Sequence, residues 1–172
     1  MYEVDDKDKV VELKDLPQSS IGAPIPIVLA GEHDILLTYY LENRAEDWDG
    51  TSVRIISPDS DDEPVAIVKF KGCYAHMFGP PNDEAFSGHP LNSRGLQPYG
   101  NFKIENSSWI RNLEKMNSVH SNHDKEMFLS ELNHFVFSFH DTTFECIAKS
   151  FEIQINKGSV IDMIPKMLLE LR

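Results

Sequence analysis

At 172 residues the chain has the size of one domain and can bury a sizeable core without disulfide or metal staples. Its 10% aromatic content weighs against general disorder, and no run reaches the eighteen apolar residues that a membrane span requires. A net charge of −12, with no basic stripe anywhere, argues against nucleic acid as a partner. The acidity is local. Residues 1–63 carry sixteen acidic against five basic side chains, a net of −11, whereas residues 64–172 carry twelve against eleven. That acidic third suits either solubility or attraction to a basic partner protein.

In chain order, residues 1–20 are charged and end in Leu16-Pro17-Gln18-Ser19-Ser20, which reads as a flexible acidic arm ahead of a single domain over 21–172. The first residues lack the basic and then apolar stretch of a secretory signal, so a cytoplasmic location is expected, with Cys73 and Cys146 as reduced, buried thiols. Strands are predicted over Ile25–Ala30 and Ile35–Leu41, joined by a turn at Gly31–Asp34. After an acidic loop at Asn43–Gly50, Thr51–Ser57 and Val65–Phe70 read as a hairpin with Pro58–Pro64 exposed between them. Cys73–Phe78 is a further strand. It runs into a 22-residue connection, Gly79–Gly100, with four prolines and four glycines; so long a loop inside a compact domain is commonly functional.

Three helices follow from period and caps. Ser107 or Ser108 opens the first, with Trp109, Ile110, Leu113 and Met116 on one face. Asp124 opens the second, with Met127, Phe128 and Leu132 inward. Ser159 and Asp162 start the third in the manner of a capping box. Its apolar stripe from Val160 to Leu171 suits either the core or a homodimer seam, and Pro165 should kink it. Between the second and third helices, His134–His140 alternates Phe135, Phe137 and Phe139 against His134, Val136, Ser138 and His140. Thr143–Ile155 alternates too, but its parity changes near Lys149-Ser150, which predicts a bulge. The fold class is therefore α+β: a mostly antiparallel sheet with about three helices packed at one side or end.

Six of the seven histidines fall between His76 and His140, beside carboxylates and Gly/Pro turns. His140, Asp141 and Glu145 flank a tight turn and are the catalytic candidates: His140 would be a base, with Glu145 or Asp141 orienting it. His76, Asn82, Asp83, Glu84, His89 and Arg94 are the ligand-binding candidates of the long connection. A resident cofactor is not indicated. A divalent metal is not favoured, and its ligand candidates are His76, His89 and His140, because no diagnostic spacing is present. His120 and His123 lack the glutamate of a metalloprotease helix and read as capping or surface residues. Nucleophilic catalysis has no Gly-x-Ser-x-Gly elbow behind it, and no phosphate-binding glycine loop occurs.

Several unusual strings occur in order: Phe78–Ala85 (FGPPNDEA), Gly88–Leu91 (GHPL), Ser107–Arg111 (SSWIR) and Phe139–Cys146 (FHDTTFEC). Together, over roughly residues 65–150, they resemble a family of small bacterial proteins of uncharacterised function. The resemblance implies a bacterial, cytoplasmic origin and brings no activity, cofactor or site residue. Three functional readings follow. The first is a binding or accessory domain for a small molecule or peptide, with its pocket between the 79–100 loop and the 140–145 hairpin. The second is a His/carboxylate hydrolase-type enzyme, with or without a metal. The third is an acidic inhibitor or immunity-type protein that meets a basic partner through residues 1–63, Asp59, Asp61, Asp62 and Glu63 among them.

Overall fold

The computed structural model describes residues 2–43 and 55–171. Among the described residues nine strands, all paired antiparallel, form two sheets. The first has the order β1 (Lys9–Glu12), β6 (Asn101–Glu105), β7 (Asn133–Ser138), β8 (Thr143–Ala148) and β5 (Ala75–Gly79). The second has the order β2 (Ile27–Ala30), β3 (Ile35–Tyr40), β4 (Glu63–Lys71) and β9 (Ser150–Gly158). Helices α1 (Ser108–Asn117), α2 (Lys125–Glu131) and α3 (Val160–Glu170) complete the α+β architecture. None of the described helices is long and apolar enough to cross a membrane.

Period-two alternation decides how the sheets meet. Phe135, Phe137, Phe144, Cys146 and Ala148 of the first sheet pack against Ile35, Leu37, Tyr39, Ala66, Val68 and Phe70 of the second. Phe70 contacts the rings of Phe135, Phe137 and Phe144 at centroid distances of 5.2–5.8 Å. The alternate residues face outward. On the second sheet Leu36, Tyr40, Val65 and Ile67 are covered by Val160, Met163 and Met167 of α3. On the first sheet Phe102, Ile104 and Val136 lie under Phe86, Leu91 and Leu96, and Ile147 lies under Ile110 and Leu132. Helices thus cover both outer faces, where the sequence predicted one sheet with helices at one side or end.

The residues read as a flexible arm are folded. β1 pairs with β6 from Lys9↔Glu105 to Glu12↔Phe102, and Tyr2, Val4 and Val10 pack on the outer apolar cluster. Hydrogen bonding along the β6 edge and burial of these side chains supply what a charge count does not register. The expected bulge at Lys149-Ser150 is a change of sheet: β8 ends at Ala148 in the first sheet and β9 begins at Ser150 in the second. The strand expected over Thr51–Ser57 lies outside the described residues through position 54, and residues 55–57 are not strand. β6 falls in a stretch that the sequence reading left unassigned. Pro165 sits inside α3, and Ile161, the residue whose carbonyl it leaves without an N–H, is half exposed.

Candidate active site

Glu145 occupies the middle of β8 on the outer face of the first sheet, opposite Val136 of β7. A carboxylate there is 3% exposed and needs donors, which three different segments supply. His134, diagonal to it on β7, donates Nε2–H to Oε2 at 3.0 Å. His89, 56 residues away in sequence, donates Nε2–H to Oε1 at 3.1 Å. Tyr2 donates its hydroxyl to Oε2 at 2.6 Å.

Each donor is itself held. His89 caps the 3₁₀ turn Pro90–Arg94, its Nδ1 accepting the Leu91 N–H at 3.1 Å, which leaves Nε2 as the protonated nitrogen. Its ring stacks on Phe86 at 5.5 Å. Tyr2 stacks on Trp109 at 5.1 Å, and both rings meet His134 edge-on. His134 turns Nδ1 toward Ser107, whose hydroxyl donates to it at 2.9 Å. Because a carboxylate only accepts, His134 carries a proton on Nε2, and in the neutral ring Nδ1 is then the acceptor that faces Ser107.

The electrostatics follow from this arrangement. Burial pushes the Glu145 carboxyl up, but the hydrogen bonds from His134 and His89 outweigh it and bring its pKa down to about 2. Burial first, and the Glu145 charge second, push the Tyr2 hydroxyl well above the usual phenol range, so it remains a donor.

Ser107 owes its position to a sharp strand-to-helix junction. β6 ends at Glu105, Asn106 takes a left-handed φ of 54°, and Ser107 becomes the N-cap of α1, its Oγ accepting the Ile110 N–H at 3.3 Å. Asparagine is among the residues that tolerate this conformation best. Ser107, His134 and Glu145 therefore form a hydroxyl–imidazole–carboxylate relay, the arrangement that activates a serine for nucleophilic attack. Beside it opens a groove of about 480 Å³, to whose lining Ser107 contributes together with Asn106, Ile104, Ile110 and Leu132.

The structure divides the sequence candidates. His89 and Glu145 meet in the buried network. His140 and Glu145 do not face each other: Glu145 pairs with Val136, and β7 ends two residues before His140. His140 instead bonds Asp141 through Nδ1 at 2.9 Å, on the surface. That bond, chiefly, raises the His140 pKa. Asp83 accepts the Tyr99 hydroxyl, which lowers the Asp83 pKa and pushes Tyr99 up to about 12. The Tyr99 ring lies 6.2 Å from that of His140, and the Asp83 N–H donates to the His140 carbonyl at 2.9 Å. Loop and hairpin thus pack together, and an open concavity of about 330 Å³ lies between Gly79–Asn82, Ala85, Asp141 and Thr142.

His76 is exposed on edge strand β5 opposite Cys146. Asn82 caps the Ala85 N–H at 3.0 Å, and Glu84 and Arg94 are exposed. His123 bonds Glu114 at 3.0 Å and Asn117 at 3.1 Å, tying the α1–α2 connection. Among the described residues no three His, Cys, Asp or Glu side chains are arranged to hold a metal ion. Of the four acidic residues considered for a basic partner, Glu63 is buried at the start of β4 and Asp62 pairs with Lys157 at 2.6 Å.

Sequence reasoning did not single out Ser107, His134 or Tyr2 for the site. The alternation of β7 already set His134 on the face opposite the phenylalanines, and Ser107 was a cap candidate. Their convergence on Glu145 carried no sequence signal. No protein-family model matches the chain, and comparison with curated proteins and with solved structures likewise finds no match.

Proposed function

We propose that this protein is a hydrolase-type enzyme that transfers acyl groups through Ser107. One observation carries the reading: the Ser107 hydroxyl stands 2.9 Å from His134 Nδ1, and His134 Nε2 stands 3.0 Å from the buried Glu145 carboxylate, beside the 480 Å³ groove. In this reading Ser107 Oγ attacks a substrate carbonyl while its proton passes to His134 Nδ1. The imidazolium so formed, steadied by Glu145, returns that proton to the leaving alcohol or thiol. A water, deprotonated by the same nitrogen, then releases the acid and restores Ser107. Glu145, His89 and Tyr2 are positioning residues.

Two of the helix N–H groups nearest Ser107 are already used, since Ser108 donates to Asp8 and Ile110 to Ser107 itself. The developing oxyanion would be met by donors on the groove wall, among them the Asn106 amide.

The test is reaction with an uncharged alkyl fluorophosphonate, followed by mass spectrometry. A single adduct on Ser107 is expected, absent in Ser107→Gly, which retains much of the cap. His134→Gln should slow labelling by at least roughly a hundredfold, the scale of a general base. A folded protein that leaves Ser107 unmodified would overturn the reading.

A second reading, ligand binding between the 79–100 loop and the 140–145 hairpin, rests on the concavity at Gly79–Ala85 and Asp141–Thr142. It requires fragment binding there that Thr142→Trp blocks.

A further inference from the structure

We infer that the groove beside Ser107 takes an anionic ligand, so that the substrate of the proposed enzyme is an ester or thioester whose acyl chain carries a carboxylate or phosphate. The inference rests on the catalytic reading for the word substrate, and on the groove itself for the charge.

The groove is bordered by Lys7, Lys103 and Arg111 and by one carboxylate, Glu105. The charges on it are not equally committed. Glu105 pairs with Lys9 at 2.9 Å. Arg111 is held by Asp5 at 2.5 Å and by the Asn106 carbonyl. Among the described residues no side-chain hydrogen bond or ion pair engages the ammonium of Lys7 or Lys103. Two cations without a side-chain hydrogen bond or ion pair, Lys7 acting on Asp5 only at longer range, therefore border one groove in a chain whose net charge is −12. In a field of that sign such a concentration of positive charge is a local feature, and the anion most able to use it is a small one that enters the groove.

The remaining wall mixes apolar side chains, Ile104, Ile110, Leu129 and Leu132, with the polar Asn106, Ser130 and Asn133, and the volume falls in the range of small-molecule sites. A short acyl chain would lie against those four apolar side chains, with its carbonyl at Ser107 and its anionic end at the lysines.

The experiment uses unreactive probes on the whole chain: glutarate monoamide, propyl phosphate and the uncharged glutaramide, followed by amide chemical-shift titration in wild type and Ser107→Gly. At least one anion should shift resonances of Lys103, Ile104 and Asn106 and bind with a Kd at least roughly fivefold below that of glutaramide, the scale of one or two exposed charge contacts. The preference should shrink with salt and disappear in Lys103→Met or Lys7→Met, while Lys149→Met, whose ammonium pairs with Glu131, leaves it intact. Carboxylate against phosphate preference identifies the head group. Equal binding of glutaramide, no binding in the groove, or a preference that survives both lysine substitutions overturns the inference. Fluorophosphonate labelling of the same samples keeps the two readings apart: labelling without anion preference overturns this one alone, and preference without labelling overturns only the catalytic one.

Discussion

Glu145 shows how one buried charge becomes tolerable. Three donors, from Tyr2, His89 and His134, meet its two oxygens, and each donor is fixed by a further contact. Glu145→Ala removes the shared acceptor and leaves those donors buried, which should cost about 3–5 kcal/mol in urea unfolding. The linked pH dependence has a definite sign. The folded pKa of about 2 lies below the ordinary 4.5, so the contribution is fully present above pH 4.5 and is lost as pH falls through about 2. It amounts to about 3 kcal/mol at neutral pH, and an acid-unfolding series should find this limb flattened in Glu145→Ala. His140 has the opposite sign. Its pKa is raised above 6.5 mainly by Asp141, so the pair helps below that value and is lost as pH rises through the folded pKa. A proton NMR titration should show His140 titrating above 6.5 in wild type and moving back toward it in Asp141→Asn.

The elements explain why these residues meet. β7 and β8 are in register from Asn133↔Ala148 to Ser138↔Thr143, so one alternation serves both strands: aromatics inward, His134 and Glu145 outward. Phe137 is fully buried in contact with Tyr39, Phe70 and Phe151, and Phe137→Ala should cost about 3–5 kcal/mol, measured by chemical denaturation. At the start of α1, Ser107 serves both as cap and as relay. Ser107→Ala should therefore lose about 1 kcal/mol more stability than Ser107→Gly, because glycine at the N-cap costs only a few tenths, whereas both abolish labelling. The caps at Ser107, Asp124 and Ser159 were legible in the sequence, since each serine or aspartate precedes an apolar period. Met127, expected inward, is more than half exposed, as is Met116 at the end of the α1 apolar face, because α1 and α2 cover the sheet along a narrower stripe than their apolar pattern suggests.

At the scale of the whole molecule, a two-sheet sandwich has two outer faces to cover, and the chain covers one with α3 and the other with α1, α2, the long loop and the N-terminal segment. The α3 stripe is divided accordingly. Val160, Met163 and Met167 are buried against the second sheet, while Ile161, Leu168 and Leu169 remain exposed. The α+β class, most strands, the helix caps and the inward set of phenylalanines were determined by the sequence alone, because they follow from local periods of 2 and 3.6 and from capping chemistry. Only the tertiary structure decided that the parity change at Lys149-Ser150 is a passage between sheets. It alone brought Tyr2, His89, Ser107 and His134 around Glu145. Alternation states which side of a strand a residue occupies, but not which distant segment will cover that side, and that choice is made by packing across the whole chain.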